Sequence, residues 1–69
     1  MSTGELIRSR RAALGLSQAQ LAARAGTGQA FVSRVESGRT TPTLPVLHRL
    51  ADALDCELVL DLAPRTVAP

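Results

Sequence analysis

Residues 15–44 read GLSQAQLAARAGTGQAFVSRVESGRTTPTL, and the fold turns on this run. Ser17-Gln18-Ala19-Gln20 has the spacing of a capping box, in which the Ser side chain accepts from the third amide and the Gln reaches back to the cap. The helix opened there has room for about two turns before Gly26, a residue suited to the positive φ of a tight turn. After Thr27-Gly28 a second short helix starts at Gln29 and stops at Ser37-Gly38. Arg39 to Pro42 then reads as loop. Outward toward the N-terminus, Thr3 is placed to cap a helix with Glu5 in its first turn, running to Leu14 and ending at Gly15. Outward toward the C-terminus, Thr43 caps a helix that tolerates Pro45 in its first turn and continues to about Leu54.

Two short helices joined by a Gly-containing turn are the sequence form of a helix-turn-helix. Ala22 is small where two helices cross closely. Val32 and Val35, three apart, face the core and fix the rotation of the third helix. That rotation turns Gln29, Ala30, Ser33, Arg34 and Ser37 outward. Gln can pair with adenine N6/N7 and Arg with guanine O6/N7, both bidentate in the major groove, so the outward face has the chemistry to read base edges. Helix–Gly–helix units also serve as plain scaffolding, and the residues alone leave that reading open. Phe31 has two readings: packing on the core with Val35, or apolar contact with a thymine methyl.

The charge pattern agrees with a polyanion partner. The 69-residue chain has a net charge of +2, yet all eight basic residues are Arg and they are unevenly spread. Residues 1–39 hold six Arg against Glu5 and Glu36, net +4, while residues 40–69 hold two Arg against four acids, net −2. Arginine's planar fork suits phosphate and base edges better than Lys, although a GC-rich genome also favours it. An apolar content of 45 % excludes a disordered chain, and a domain this small is marginal without a partner. One Cys excludes a disulfide framework, and no apolar run approaches the ~20 residues that span a bilayer. A cytoplasmic, nucleoid-associated protein is expected, with no signal peptide and no membrane segment. His48 reads as a surface residue and Cys56 as a small buried hydrophobe; no metal site, cofactor site or catalytic constellation is expected, and the chain does not read as an enzyme.

The quoted run resembles the Cro/cI-type (XRE) helix-turn-helix family, which includes the lambdoid phage repressors, and the resemblance extends over residues 3–54. It implies an all-α, compact bundle of four or five short helices and dimeric binding to a two-fold operator, usually to repress transcription. By position, Gln18 is expected at a phosphate, Gln29, Ala30 and Arg34 at base edges with Phe31 bordering the groove, Ser33 in a supporting backbone contact, and Arg39 at the DNA backbone. The family often pairs an Arg of the first helix with a Glu late in the third, and Arg11 and Glu36 match. Spacing agrees independently. Arg11 shares a seam with Ile7 and Leu14, and Glu36 lies four after Val32, so the two should satisfy each other as a structural ion pair.

Residues 56–63 depart from the phage repressors. Leu58, Leu60 and Leu62 alternate with acids around Val59, which favours a short strand, although Leu54, Leu58 and Leu62 would also suit a fifth helix. A lone strand has unpaired edges, so pairing with the same segment of a second copy is expected, burying Leu58, Val59, Leu60 and Leu62 in a homodimer interface. Residues 64–69 read as a frayed tail. Three functions follow: a dimeric operator-binding regulator, an antitoxin that also represses its own operon and holds a toxin with its acidic half, or a module that binds only protein.

Overall fold

Ser2, not Thr3, caps the first helix. In the computed structural model, which describes residues 1–66, α1 spans Thr3–Ala13, and the Ser2 hydroxyl accepts from the Glu5 amide at 3.2 Å. The expectation of Thr3 was one residue late, because Ser2 and Glu5 have the cap-to-third-residue spacing and Thr3 already has helical geometry. The other starts fall where expected. Ser17 and Gln20 close the capping box on α2, Gln18–Ala25. Gly28 precedes α3, Gln29–Glu36, and the Thr43 hydroxyl caps α4, Leu44–Ala53, with Pro45 in its first turn.

All four helices end by the same device. A residue of positive φ stands at the C-cap of α2 and just past the C-cap of the other three, and its own amide and the next one fold back to helix carbonyls, as in Gly26 to Ala23 and Thr27 to Ala22. Glycine fills the position after α1, α2 and α3. After α4 it is Asp55, at φ 53°, with its amide on Asp52 and that of Cys56 on Ala51. Asp is among the few non-glycine types that adopt this conformation, so the expected end of the fourth helix near Leu54 has a defined geometry.

The core is made by α2, which packs on both α3 and α4, while α1 packs on α3. Leu21, Val32, Val35 and Leu50 are fully buried, surrounded by Ile7, Ala22, Ala25 and Leu54. Each large side chain in this group is worth roughly 1.5–3 kcal/mol of burial. Ala22 is indeed buried where α2 meets its neighbours. Gly4 is buried as well. A Cβ built there would lie 2.6 Å from the Glu36 carbonyl oxygen and closer still to that of Val35, so α1 enters against the end of α3 backbone to backbone.

Residues 56–66 contain neither strand nor helix. The strand expected over 56–63, and the fifth helix that was its alternative, are both absent. Within one chain the segment has no neighbouring strand to receive its amides, and among the described residues no backbone hydrogen bond lies beyond that of Cys56. Leu58 is half-buried, whereas Val59, Leu60 and Leu62 are 75 %, 66 % and 95 % exposed. Of the tail expected over 64–69, residues 64–66 are exposed and residues 67–69 lie outside the described residues. Cys56 is half-buried rather than buried, its thiol on the Leu54 carbonyl. No helix among the described residues is long and apolar enough to cross a membrane.

Candidate nucleic-acid interface

The rotation of α3 follows from two valines. With Val32 and Val35 at 0 % and 1 % exposure, Gln29, Ala30, Ser33, Arg34 and Ser37 emerge together on the opposite, exposed face. Gln29 stands at the very start of the helix, following the turn set by Gly26 and Gly28. Among the described residues neither the Gln29 amide nor the Arg34 guanidinium has a hydrogen-bonding partner in the chain. Both are thus open to base edges or phosphates. Phe31 is half-buried against the core, which bears out its packing reading, and the Arg34 Cζ lies 6.0 Å from its ring centroid.

The end of α3 leads directly into Arg39. Gly38, at φ 79°, lets the Arg39 amide reach the Arg34 carbonyl at 2.9 Å, and Thr40 joins the same oxygen at 3.3 Å. The Ser37 hydroxyl donates to it too, at 3.2 Å. Arg39 is exposed just past the helix, beside the face that carries Arg34.

Behind this face lies a carboxylate with four donated hydrogen bonds. Arg11 Nε donates to Glu36 Oε2 at 2.6 Å and its Nη2 to Oε1 at 2.9 Å. Arg8 Nε and Gln18 Nε2 donate to the same Oε1 at 3.4 and 3.3 Å. The Glu36 side chain is wholly buried, so its desolvation opposes the charged form. The bonds from Arg11, Gln18 and Arg8, together with the Arg11 charge, outweigh that and hold the carboxyl below its ordinary value. The Glu36 bond likewise holds the Arg11 guanidinium above its ordinary value, against burial. Arg11 Nη1 also donates to the Leu16 carbonyl at 2.8 Å, tying α1 to the turn before α2.

The expected Arg11–Glu36 pair is therefore present, and Gln18 is part of it. One Gln18 amide hydrogen is engaged by Glu36, which anchors the side chain at the N-terminal end of α2, where the helix dipole favours an anion. Four contributors escaped the sequence reading: Arg8, the inward bond of Gln18, Gly4, and Arg10, whose Nε donates to the Leu54 carbonyl at 3.1 Å. The signal for Arg8 was available, since it precedes Arg11 by three and shares its helix face. His48 is exposed, 3.6 Å from Asp52 on the surface of α4. Among the described residues no cluster of His, Cys, Asp or Glu could hold a metal ion.

Two short helices crossing at a glycine turn, the second with its apolar side locked and its polar side free, define a helix-turn-helix protein. Comparison with known proteins gives the family. The helix-turn-helix family model matches residues 7–60, and the chain belongs to this family, of the Cro/cI (XRE) type. It is 42 % identical over 57 residues to an HTH-type transcriptional regulator of Methanothermobacter thermautotrophicus, covering 83 % of each chain. A second HTH-type regulator, from Sinorhizobium fredii, is 41 % identical over 63 residues, which are 91 % of this chain and 31 % of the relative. Among solved structures, the restriction-modification controller protein C.AhdI of Aeromonas hydrophila matches with a TM-score of 0.77 and 41 % identity over 78 % of each chain. The P22 c2 repressor, solved in complex with a synthetic operator, matches with a TM-score of 0.78 and 35 % identity over 83 % of this chain and 86 % of that one. These relatives are DNA-binding regulators rather than enzymes, and the chain is a helix-turn-helix transcriptional regulator.

Proposed function

We propose that the protein is a dimeric repressor that binds a two-fold symmetric operator, with α3 in the major groove of each half-site. The observation that carries this reading is the division of α3: Val32 and Val35 are fully buried while Gln29, Ala30, Ser33 and Arg34 are exposed on the other side. Gln29, Ala30 and Arg34 meet base edges, with Phe31 at the border of the groove. Gln18 and Arg39 meet phosphates on either side, and Ser33 supports the contact. The operator complex of the P22 c2 repressor, whose fold matches at a TM-score of 0.78, supports duplex DNA as the partner.

Dimerisation is assigned to the C-terminal segment. Val59, Leu60 and Leu62 are exposed apolar side chains on backbone without ladder partners among the described residues, the situation that strand pairing between copies relieves. Selection of duplexes from a random pool, followed by footprinting of the winners, tests the whole reading. Two-fold sites with half-sites about 34 Å apart are expected, with an affinity that falls steeply as salt rises. A protein that retains no duplex, or whose affinity is indifferent to salt, is not an operator-binding repressor.

A further inference from the structure

Phe31 is the only aromatic residue of the chain, and it precedes Arg34 by one turn of α3. The core fixes its ring: Phe31 is half-buried and packs against the buried cluster. Arg34 is exposed, and its guanidinium carbon lies 6.0 Å from the ring centroid, at the limit where the ring face attracts a cation. Arg8, Arg10 and Arg11 all donate to acceptors within the fold. Arg34 differs. Among the described residues its side chain has no ion pair and no hydrogen bond, so the ring orients it while all five N–H donors stay open.

We propose that Phe31 and Arg34 form one reading unit: the ring steadies the guanidinium for a guanine and itself meets the C5 methyl of a neighbouring thymine. The preferred half-site then holds a thymine adjacent to that guanine. Two physical effects favour the pairing. A long side chain loses rotamer freedom when it binds, and a ring contact already present in the free protein removes part of that loss. Guanine O6 and N7 match the guanidinium fork, while the thymine methyl is the one apolar group in the major groove that an aromatic edge can cover. The unit rests on α3 being the base-reading helix, and it makes Phe31 a specificity-determining residue as well as a core one.

The test starts from the duplex selected by the wild-type protein. Replacing the thymine next to the Arg34-dependent guanine by deoxyuridine removes only the methyl, and should weaken wild-type binding about fourfold, the value of one buried methyl-sized group. Phe31→Leu should lose about two- to fivefold on the deoxyuridine duplex, where only its hold on Arg34 is at stake. It should lose more than that on the selected duplex, discriminate thymine from deoxyuridine less than twofold, and lose less on a random-sequence duplex than on the selected one. Selected sites without a thymine beside that guanine, equal wild-type binding to both duplexes, or a Phe31→Leu loss that is the same on random DNA would each overturn the unit. If Arg34→Ala retains the wild-type site preference, the base-reading role of α3 fails and the unit fails with it. If Arg34→Ala relaxes the preference at a guanine but deoxyuridine is silent, only the role of the ring fails. Should Phe31→Leu not fold, the deoxyuridine duplex still decides with wild-type protein. So do the Arg34 Hδ proton shifts of the free wild type, which the ring should displace upfield and whose ordinary values would overturn the proposal.

Discussion

Arg11 and Glu36 lie 25 residues apart and join the first and third helices through a two-pronged pair, Nε to Oε2 at 2.6 Å and Nη2 to Oε1 at 2.9 Å. The carboxylate is wholly buried and the Arg11 side chain is 16 % exposed, so water cannot replace Arg11 at the carboxylate and reaches Arg11 only in part. Removing one leaves the other charged and desolvated. Glu36→Ala should therefore destabilise by ~3–5 kcal/mol, read by urea denaturation. Arg8→Ala, whose side chain is 59 % exposed and whose bond is long at 3.4 Å, should cost less than ~1 kcal/mol. A loss within 0.5 kcal/mol for Glu36→Ala would mean that the carboxylate is solvated in solution.

The same pair sets a pH dependence. Glu36 has a lowered carboxyl value in the fold, so its contribution to stability is fully present above the unfolded carboxylate value of about 4.3. It is lost progressively as pH falls from there through the depressed folded value. Arg11, whose guanidinium the Glu36 bond holds above its ordinary value, would lose its contribution only in stronger alkali than any practical buffer. Melting followed from pH 7 down to pH 2 should show a fall in the wild type that is shallower in Glu36→Gln. Parallel curves for the two proteins would assign the acid sensitivity to other carboxylates.

Gly4 gives a test of the approach between α1 and α3. In an ordinary helix, Gly→Ala gains up to ~1 kcal/mol from propensity. At Gly4 the new Cβ would meet the carbonyl oxygens of Val35 and Glu36, the latter at 2.6 Å, and both are backbone atoms that cannot swing aside. Overpacking of this kind typically costs ~1–3 kcal/mol and outweighs the propensity gain. Gly4→Ala should lower the denaturation midpoint, and a rise in it would show that α1 can shift away from α3 freely.

Division of labour along α3 and its following turn predicts two kinds of DNA phenotype. Gln29→Ala and Arg34→Ala should each cost ~1–3 kcal/mol on the selected operator and relax the preference at one position. Arg39→Ala should weaken every sequence to a similar degree and reduce the salt slope by about one. Binding titrations at several salt concentrations separate the two patterns. Relaxed preference from Arg39→Ala, with uniform weakening from Arg34→Ala, would exchange their roles.

What the sequence disclosed depended on how local the determining physics was. Ser17, Gln20 and Thr43 act on amides three residues away, so their caps could be read directly. Val32 and Val35 have helical spacing, and their burial set the outward face correctly. Gly4 and Arg10 resisted reading because their partners lie 31–32 and 44 positions further along the chain, and no periodicity announces a carbonyl on another helix. Gln18 was legible as a polar residue opening α2, but its bond to Glu36 exists only once α1, α2 and α3 have packed. The segment over 56–63 misled for a related reason. Its alternation is a strand pattern, and strand structure needs a neighbour that one chain does not supply.

A second copy of the chain can be that neighbour. Leu60 and Leu62 are 66 % and 95 % exposed in the single chain, so replacing both by Ser removes almost no burial within the protomer and should leave its fold intact. A second copy pairing along the segment would cover them, and a stable interface needs roughly 1,000 Å² with an apolar centre. The wild type should then sediment as a dimer, and Leu60→Ser/Leu62→Ser as a monomer at the same concentration. Affinity for the two-fold operator should fall by far more than affinity for an isolated half-site, because the two α3 helices no longer bind as a linked pair. If the variant keeps the wild-type mass and operator affinity, the copies meet through another surface, and the exposed leucines have no part in joining them.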